Sequence, residues 1–300
     1  MREPLANLRT FVGERAKTVL TPTGIPRVEI FRVTEPTELF PEIYQPFVSL
    51  ILQGEKRLLI GNKGLNYTAG DAFIASVDLP ATGEIVEASV TAPYLAVRLT
   101  FDLALIADLL RDVPEPMNLP ETQSFCVAPA SDDLIDAWLR MLRLMDQPDD
   151  IAVMAPLLER EILFRLLRGA QGAVLRQAAS INGRFSQIRK ALIWIRTNHA
   201  VPVRIEDLAH IADMSVSAFH RSFKASTGLS PLQYQKHLRL YEARRMLFAK
   251  PGDVASVAFG VGYESLSQFT REYARMFGAP PARDIRKLHS DSLRKLAAAG

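Results

Sequence analysis

The chain has 300 residues, of which 48% are hydrophobic and 23% are charged, so it is long enough for about two domains that each bury a core. This composition excludes wholesale disorder, and no apolar run approaches the ~18–20 residues that a membrane-spanning helix needs. A single cysteine excludes a disulfide framework and a multi-cysteine metal cluster. The first residues lack the compact apolar stretch of a signal peptide, so we expect a cytoplasmic protein.

The net charge of +3 conceals an uneven distribution along the chain. Residues 1–180 contain 17 basic and 24 acidic side chains, a net charge of −7, whereas residues 181–300 contain 19 and 9, a net charge of +10. An acidic front and a basic back indicate two parts with different partners. The basic part suits a polyanion such as DNA.

The first third of the chain has the texture of a β-domain. Residues 1–45 contain five prolines, which predicts an arm of loops and short strands. From Phe47 to Phe101, short β-type runs alternate with glycine-containing turns about every 8–12 residues. This spacing predicts a sandwich or barrel instead of alternating strands and helices.

After Asp102 the apolar residues follow a helical period in three segments. Their stripes are Leu103, Ile106, Leu109 and Leu110; Leu134, Trp138, Met141, Leu142 and Met145; and Leu157, Leu158, Ile162, Phe164, Leu166 and Leu167. The third segment, about 151–168, is apolar on more than one side, so it either packs on the barrel alone or is also shared with a second subunit. Residues 171–183 contain several small residues and are predicted to be an interdomain linker, because the charge changes sign across them.

The most informative feature is an internal repeat with an offset of 50 residues. Counted from the first aromatic residue, both copies have serine at −2, arginine at +2, an aromatic residue at +4, glycine at +9 and proline at +12. The matched residues are Ser217, Phe219, Arg221, Phe223, Gly228 and Pro231 in the first copy and Ser267, Phe269, Arg271, Tyr273, Gly278 and Pro281 in the second. Six matches at one offset indicate a duplication.

Each copy is predicted to be a helix–turn–helix. Ser215 and Ser265 stand where a hydroxyl caps the N-terminus of the second helix, and Gly228 and Gly278 stand where a left-handed residue ends it. A helix from Pro231 to about Ala249 joins the two copies, and its 19 residues span roughly 28 Å. Such a strut can place two recognition helices about one DNA turn, ~34 Å, apart.

The faces opposite the repeated aromatic residues are candidate DNA-reading surfaces. One arginine on an exposed helix is usually only solvated, but matched arginines on duplicated units of a basic domain favour pairing with guanine edges. The predicted contacts are Ser217, His220, Arg221 and Lys224 in the first copy and Leu266, Ser267, Thr270 and Arg271 in the second. The residues predicted to contact DNA phosphates are Ser215 and Ser265, with surrounding basic residues such as Arg204, Lys236 and Arg239.

Residues 184–290 resemble the DNA-binding domain of the AraC/XylS family of bacterial transcription regulators. The resemblance is carried by the run Ala258-Phe259-Gly260-Val261-Gly262-Tyr263-Glu264-Ser265, followed by Phe269, Arg271, Tyr273, Phe277, Gly278 and Pro281. Two departures occur: the usual Phe-Lys pair is Tyr273-Ala274 here, and the arginine expected after the final proline appears as Arg286, displaced by about one position. The resemblance implies tandem helix–turn–helix units, promoter binding and dimeric action through the other domain.

Residues 49–54, 69–71, 78–80 and 94–99 resemble the cupin-like N-terminal domain of one branch of the same family, which implies a small jelly-roll barrel, followed by helices, for effector binding and dimerisation. The predicted fold class is therefore α+β: a cupin-like β-barrel plus helices, followed by an all-α tandem helix–turn–helix domain. The predicted boundaries are 1–170 for the effector-binding and dimerisation domain with its arm, 171–183 for the linker, 184–290 for the DNA-binding domain and 291–300 for a tail.

An enzyme of the cupin type is the main rival, since such barrels often hold a catalytic metal through histidines. All five histidines lie at or beyond His199, so we predict no catalytic residue, no metal and no cofactor. Cys126 has no histidine in its domain and is interpreted as a small buried hydrophobic residue. Tyr94 and Arg98 share one face of a strand, where they either hold an anionic effector inside the barrel or, for Arg98, face solvent.

The sequence therefore predicts a transcription regulator whose partners are promoter double-stranded DNA, a second copy of the chain and an unidentified small effector, with RNA polymerase as a further partner and no membrane. Two alternatives stay open: a constitutive DNA-binding protein whose barrel only dimerises, and an enzyme. Activation of transcription is predicted, although the residues themselves do not separate activation from repression.

Overall fold

The computed structural model describes residues 2–113, 124–179, 184–250 and 252–297, the last eight of them as backbone only. The chain forms two compact units, which we call the N-terminal unit (residues 1–39 and 44–183) and the C-terminal unit (residues 40–43 and 184–300). None of the helices in the described ranges combines the length and apolar character that a bilayer crossing requires.

The chain begins with a helix, α1 (Glu3–Arg15), where the sequence analysis predicted an arm of loops and short strands. That prediction is wrong for these residues. Pro4 lies in the first helical turn, where its missing N–H costs no hydrogen bond. Leu5, Leu8 and Val12 recur at helical spacing and are buried in the core of the N-terminal unit.

The strands of the described residues form two sheets, a six-stranded sheet with the order β1-β2-β9-β4-β7-β10 and a four-stranded sheet with the order β3-β8-β5-β6. The strands are β1 (Leu20–Pro22), β2 (Val28–Val33), β3 (Phe40–Tyr44), β4 (Phe47–Gln53), β5 (Glu55–Ile60), β6 (Lys63–Thr68), β7 (Asp71–Ala75), β8 (Leu79–Glu87), β9 (Tyr94–Thr100) and β10 (Phe125–Pro129). Neighbouring strands pair antiparallel, as in β2 with β9 and β4 with β7. The predicted sheet-rich front domain is confirmed.

The core between the two sheets is aromatic and draws on both of them. Phe47 lies 5.4 Å from Tyr44 and 5.5 Å from Phe73, measured between ring centroids, and Tyr67 lies 5.7 Å from Phe73. Tyr94 belongs to the same buried cluster. Rings at these separations make favourable offset and edge contacts, so side chains fill this part of the barrel interior.

The outer face of the six-stranded sheet shares one hydrophobic core with α1 and with the helices α2 (Leu103–Asp112), α3 (Asp132–Arg143), α4 (Ile151–Arg168) and α5 (Gly172–Ala179). Val48, Leu50 and Leu52 of β4 pack into this helical layer, whereas Phe47 and Ile51 of the same strand point between the sheets. Because both faces of β4 are covered, its sequence is a continuous apolar run without alternation.

Helix α5 lies inside the segment that was predicted to be a linker, residues 171–183. Val174 and Leu175 are buried in the core of the N-terminal unit, so this part of the predicted linker is packed structure. Its remaining residues 180–183 lie outside the described residues. Ala178 and Ala179 of α5 are buried, so these small residues serve close packing.

The described part of residues 184–297 is helical, as predicted. Its helices are α6 (Arg184–Thr197), α7 (Ile205–Ile211), α8 (Val216–Thr227), α9 (Pro231–Ala249), α10 (Val254–Gly260), α11 (Leu266–Phe277) and α12 (Pro281–Ala297). Helix α9 has the bounds that the sequence predicts for the connecting strut. The predicted tail from residue 291 is instead a continuation of α12 up to Ala297.

Candidate nucleic-acid interface

Two helix–turn–helix units, α7–α8 and α10–α11, have nearly the same local structure. In each turn one residue adopts a left-handed backbone conformation, Asp213 at φ 51° and Gly262 at φ 91°. The next residue then donates its backbone N–H to the first helix, from Met214 to Ala209 (2.9 Å) and from Tyr263 to Ala258 (3.0 Å). The turns are therefore equivalent although they differ in sequence.

Glycine is required at position 262 for a reason beyond its backbone angle. A Cβ atom built there would lie 2.1 Å from the carbonyl oxygen of Ala200, which belongs to the segment between α6 and α7. The second turn thus lies directly against the segment that precedes the first helix–turn–helix unit, and only a residue without a side chain permits this approach.

The two recognition helices, α8 and α11, each have 12 residues and begin and end in the same way. The hydroxyl oxygens of Ser215 and Ser265 accept the backbone N–H of the third residue of the helix, each at 3.4 Å. Gly228 and Gly278 end the helices with φ of 74° and 75°. The predicted caps are confirmed, and each capping hydroxyl keeps its own proton as a hydrogen-bond donor.

The inner faces of α8 and α11 are anchored by the repeated aromatic residues. Phe219 and Phe223 are fully buried with ring centroids 5.5 Å apart and planes at 58°, and Phe269 and Tyr273 reproduce this pair at 5.5 Å and 59°. Because residues four apart share a helix face, these anchors determine which residues of each helix point away from the protein.

The outer faces carry the residues predicted to read DNA. The exposed residues of this set are Ser217, His220, Arg221 and Lys224 on α8 and Leu266, Ser267 and Arg271 on α11, while Thr270 is half-buried. Arg221 and Arg271 occupy the same place on the two helices, two positions after the first buried ring. The structure thus brings each predicted set together on one accessible face.

Arg239, which the sequence predicts to contact a phosphate, donates its guanidinium to backbone carbonyls of the same chain. Nε donates to the carbonyl of His199 (2.6 Å) and Nη1 to that of Gly262 (2.9 Å), and Nη2 reaches Ala200 and Val201. Burial lowers the pKa of Arg239, and four carbonyl oxygens compensate its buried donors. The sequence offers no signal for this role, since the partners lie more than 20 residues away.

The other predicted phosphate residues remain accessible. Arg204 is exposed, and Lys236 is half-exposed with its Nζ 4.0 Å from a carboxylate oxygen of Glu272. Lys236 lies at a polar cavity of about 370 Å³ between α9 and α11, where Glu272 also accepts the Tyr263 hydroxyl at 3.0 Å. Arg204 and Lys236 stay candidates for phosphate contact.

In the N-terminal unit, Arg98 lies on β9 opposite Glu29 of β2. Its Nε and Nη2 donate to one oxygen of Glu29 at 2.8 and 2.5 Å, and its guanidinium lies 4.6 Å above the centroid of the Phe31 ring. The sequence predicts neither contact, because both depend on the register of two strands about 70 residues apart. Arg98 is therefore neutralised by Glu29 within the chain.

Tyr94 points into the aromatic core between the sheets. Burial raises its pKa to about 12, so the hydroxyl is protonated at neutral pH. Cys126 is half-buried and burial raises its thiol pKa to about 12, which makes it a poor nucleophile, in line with its interpretation as a small hydrophobic residue. Within the described residues, no group of three or more His, Cys, Asp or Glu side chains has the arrangement of a metal site.

Comparison with known proteins shows which protein families the two units resemble. A family model described as the N-terminus of AraC-type transcriptional regulators matches residues 24–174, half of the chain, and a helix-turn-helix domain model matches residues 208–287. This protein belongs to the AraC-type transcriptional regulators. The family resemblance of its sequence is confirmed.

Curated relatives of this AraC-type regulator include HTH-type transcriptional activators named RhaS. The protein of Citrobacter koseri is 33% identical over 132 residues, which cover 43% of this chain and 45% of RhaS. The protein of Salmonella schwarzengrund is 30% identical over 149 residues, which cover 49% of this chain and 52% of RhaS. The matches thus span about half the length of these relatives.

Solved structures resemble the AraC-type regulator over most of its length. An apo ToxT variant from Vibrio cholerae strain SCE256 has a TM-score of 0.58 and 10% identity, covering 90% of this chain and 97% of ToxT. ToxT from Vibrio cholerae O395 has a TM-score of 0.53 and 10% identity, covering 86% and 96%. At such low identity, the likeness establishes the fold: a sheet-rich N-terminal domain followed by an all-helical helix-turn-helix domain.

Proposed function

We propose that this AraC-type regulator reads promoter DNA with α8 and α11, dimerises through its N-terminal unit and responds to a small effector bound there. The observation that carries the proposal is the matched placement of Arg221 and Arg271 on equally capped, equally anchored helices with accessible outer faces. Arginine is the side chain that most often pairs with guanine in the major groove. Two such helices in a basic unit suit two successive major grooves.

Phosphate contacts complete this DNA-binding surface. Ser215 and Ser265 lie at the N-termini of the recognition helices, where free hydroxyl protons and backbone N–H groups suit anionic oxygens. Lys224, His220 and Arg204 add accessible donors around them. These contacts set affinity and register, whereas the arginines supply base preference.

The test of DNA reading is selection of bound sequences from a random DNA library by the purified full-length protein. We expect two blocks of preferred bases whose centres are about one helical turn, ~10 base pairs, apart. Arg221→Ala should erase one block and Arg271→Ala the other. Recovery of sequences without any preferred block would refute the proposal.

The surface that fits a second copy is the outward stripe of α4. Val153, Leu157 and Phe164 are 68%, 59% and 38% exposed, and at 100° per residue they fall within an arc of about 40°. An exposed apolar stripe on this helix suits a symmetric contact with the same stripe of another copy. This favours the shared-helix alternative for residues 151–168.

The effector class that fits the N-terminal unit is a carboxylate attached to an apolar body. Arg98 supplies the cation, and Phe31 and Phe47 flank its guanidinium at 4.6 and 5.7 Å. An effector carboxylate that replaces Glu29 would form the ion pair with Arg98 and would release the Glu29 side chain of β2. A ToxT structure with a TM-score of 0.50 and 10% identity, covering 86% of this chain and 97% of ToxT, is bound to (E)-4-(8-methylnaphthalen-1-yl)but-3-enoic acid, which has this chemistry.

The second candidate function is a constitutive regulator whose N-terminal unit only dimerises. It is favoured by the existing pairing of Arg98 with Glu29 and by the aromatic filling between the sheets. Failure of carboxylates to change the melting temperature would support it. In either case, similarity to the RhaS transcriptional activators supports activation of transcription, with RNA polymerase as the further partner.

A further inference from the structure

A hydrogen-bonded group of three side chains holds the inner face of α11. Arg244 of α9 donates Nε and Nη2 to the two oxygens of Asp284, both at 2.9 Å, and the Tyr273 hydroxyl of α11 donates to the same carboxylate at 2.8 Å. The side chains of Arg244 and Asp284 are only 12% and 6% exposed, and Tyr273 is fully buried. We call these residues the polar latch.

In the first repeat, the equivalent positions are in contact through two aromatic rings. The 50-residue offset places Phe223 opposite Tyr273 and Tyr234 opposite Asp284. Phe223 and Tyr234 pack ring against ring, with centroids 5.6 Å apart and planes at 85°. Thus the helix that follows each recognition helix contacts it through an aromatic ring in the first unit and through a carboxylate in the second.

The two junctions constrain their recognition helices differently. A ring contact retains most of its energy when the rings slide, whereas a hydrogen bond weakens steeply with angle and distance. The bidentate pair fixes Asp284 against α9, and Asp284 also lies in the first turn of α12, where the helix dipole favours a negative charge. Asp284, which accepts the hydrogen bond of the Tyr273 hydroxyl, is therefore held in place and does not move with α11 if α11 rotates.

Rotation of α11 matters because Arg271 lies only two residues from Tyr273. Two residues correspond to about 200° around the helix, so the latch and the reading face lie on nearly opposite sides. Any rotation allowed at Tyr273 displaces the guanidinium of Arg271 by a similar angle. Bidentate pairing with a base tolerates little displacement.

We propose that Arg244, Asp284 and Tyr273 are positioning residues that set the orientation of α11 on DNA, so that base discrimination by the second recognition helix depends on the polar latch while the first depends on ring packing. The inference rests on the proposed reading of DNA by α8 and α11.

The test is the same library selection with full-length Tyr273→Phe, which keeps the ring and the Arg244–Asp284 pair and removes one hydroxyl. We expect base preference in the Arg271 block to fall about fivefold to tenfold, up to about 1.4 kcal/mol, while the Arg221 block is unchanged in the same molecules. Asp284→Asn, which keeps shape but removes the charge that holds Arg244, should act on the same block. The thermal unfolding temperature of each variant shows independently whether the protein is still folded and how stable it is.

Two results would overturn the proposal. One is an unchanged Arg271 block in both variants together with a lowered unfolding temperature, which would make the latch a stability element alone. The other is an equal decline of both blocks, which would indicate general loosening. If wild-type protein selects no blocks at all, the proposed reading of DNA fails first, and this outcome is distinct from the other two.

Discussion

The arginines of the C-terminal unit show how one residue type is used in different ways. Arg221 and Arg271 are exposed on the outer faces of α8 and α11, whereas Arg239 donates to backbone carbonyls and Arg244 to Asp284. The repeat predicts the exposed pair, because the buried aromatic residues at +0 and +4 place position +2 outside. Arg239 and Arg244 depend on partners that only the folded chain brings near.

Replacement of either exposed arginine should weaken specific binding without unfolding the protein. Loss of one bidentate pair with guanine corresponds to about 1–3 kcal/mol, so Arg221→Ala and Arg271→Ala should each lower specific affinity roughly 5- to 150-fold. Titration of fluorescent operator DNA measures this, with exposed Arg111→Ala in the N-terminal unit as control. Wild-type affinity in both variants would show that the reading faces are assigned wrongly.

His237 of α9 should make the C-terminal unit sensitive to acid. Burial, with a smaller effect of Lys236, lowers its pKa from 6.5 to about 4. Since the unfolded chain then binds a proton near pH 6.5 and the folded chain only near pH 4, stability is lost as the pH falls through this window. The loss is about 2 kcal/mol at pH 5.

Urea unfolding between pH 7 and pH 4.5 checks this prediction. His237→Leu should flatten the dependence, whereas the exposed His210→Leu should retain it. An unchanged slope in His237→Leu would assign the acid sensitivity to other groups.

At the scale of elements, helices were predicted best where their ends are marked. Ser215 and Gly228 bound α8, and Ser230 with Gln233 forms the capping box that starts α9. Helix α1 lacks a side-chain cap and lies in a proline-rich stretch, so composition pointed to a loop. Its stripe of Leu5, Leu8 and Val12 was the signal that identifies it.

If the outward stripe of α4 forms the dimer contact, a charge placed within it should weaken the dimer. Leu157→Asp places a charge in the centre of the proposed contact and, by symmetry, does so twice. The dimer dissociation constant should rise at least about a hundredfold, since each buried leucine contributes about 1.5–3 kcal/mol. Sedimentation velocity measures the assembly state.

Val90→Asp is the matched control, because Val90 is an exposed aliphatic residue of the same unit outside the helices, 76% accessible. It should leave the assembly unchanged. A Leu157→Asp protein that sediments like wild type would show that α4 does not form the dimer contact.

For the whole molecule, the acidic part of the chain is the one proposed to bind the effector, and the basic part is the one proposed to bind DNA. The acidic N-terminal unit is rich in internal ion pairs, such as Arg140 with Glu161 and Arg165 with Asp133. The basic residues of α8 and α11 face outward instead. Effector control requires that the effector binds the DNA-competent state with a different affinity from the other state.

The effector hypothesis predicts a reciprocal coupling. (E)-4-(8-methylnaphthalen-1-yl)but-3-enoic acid, used as the probe, should raise the melting temperature of wild type and not of Arg98→Ala. Operator DNA should change the probe's affinity by about 5- to 150-fold, the usual range of coupling. Arg57→Ala, which breaks an exposed ion pair with Glu84, is the control. Equal probe affinity with and without DNA would remove the mechanism.

The sequence by itself determined the duplicated helix–turn–helix units, their caps, the strut α9 and the β-rich front, because each depends on local spacing of apolar residues, serines, glycines and prolines. Tertiary structure alone decided that Arg98 meets Glu29, that Arg239 and Arg244 are used inside the protein and that α5 is packed. These outcomes depend on strand register and on helices that meet after long separations in the chain, and no local pattern encodes which side chains such contacts bring together.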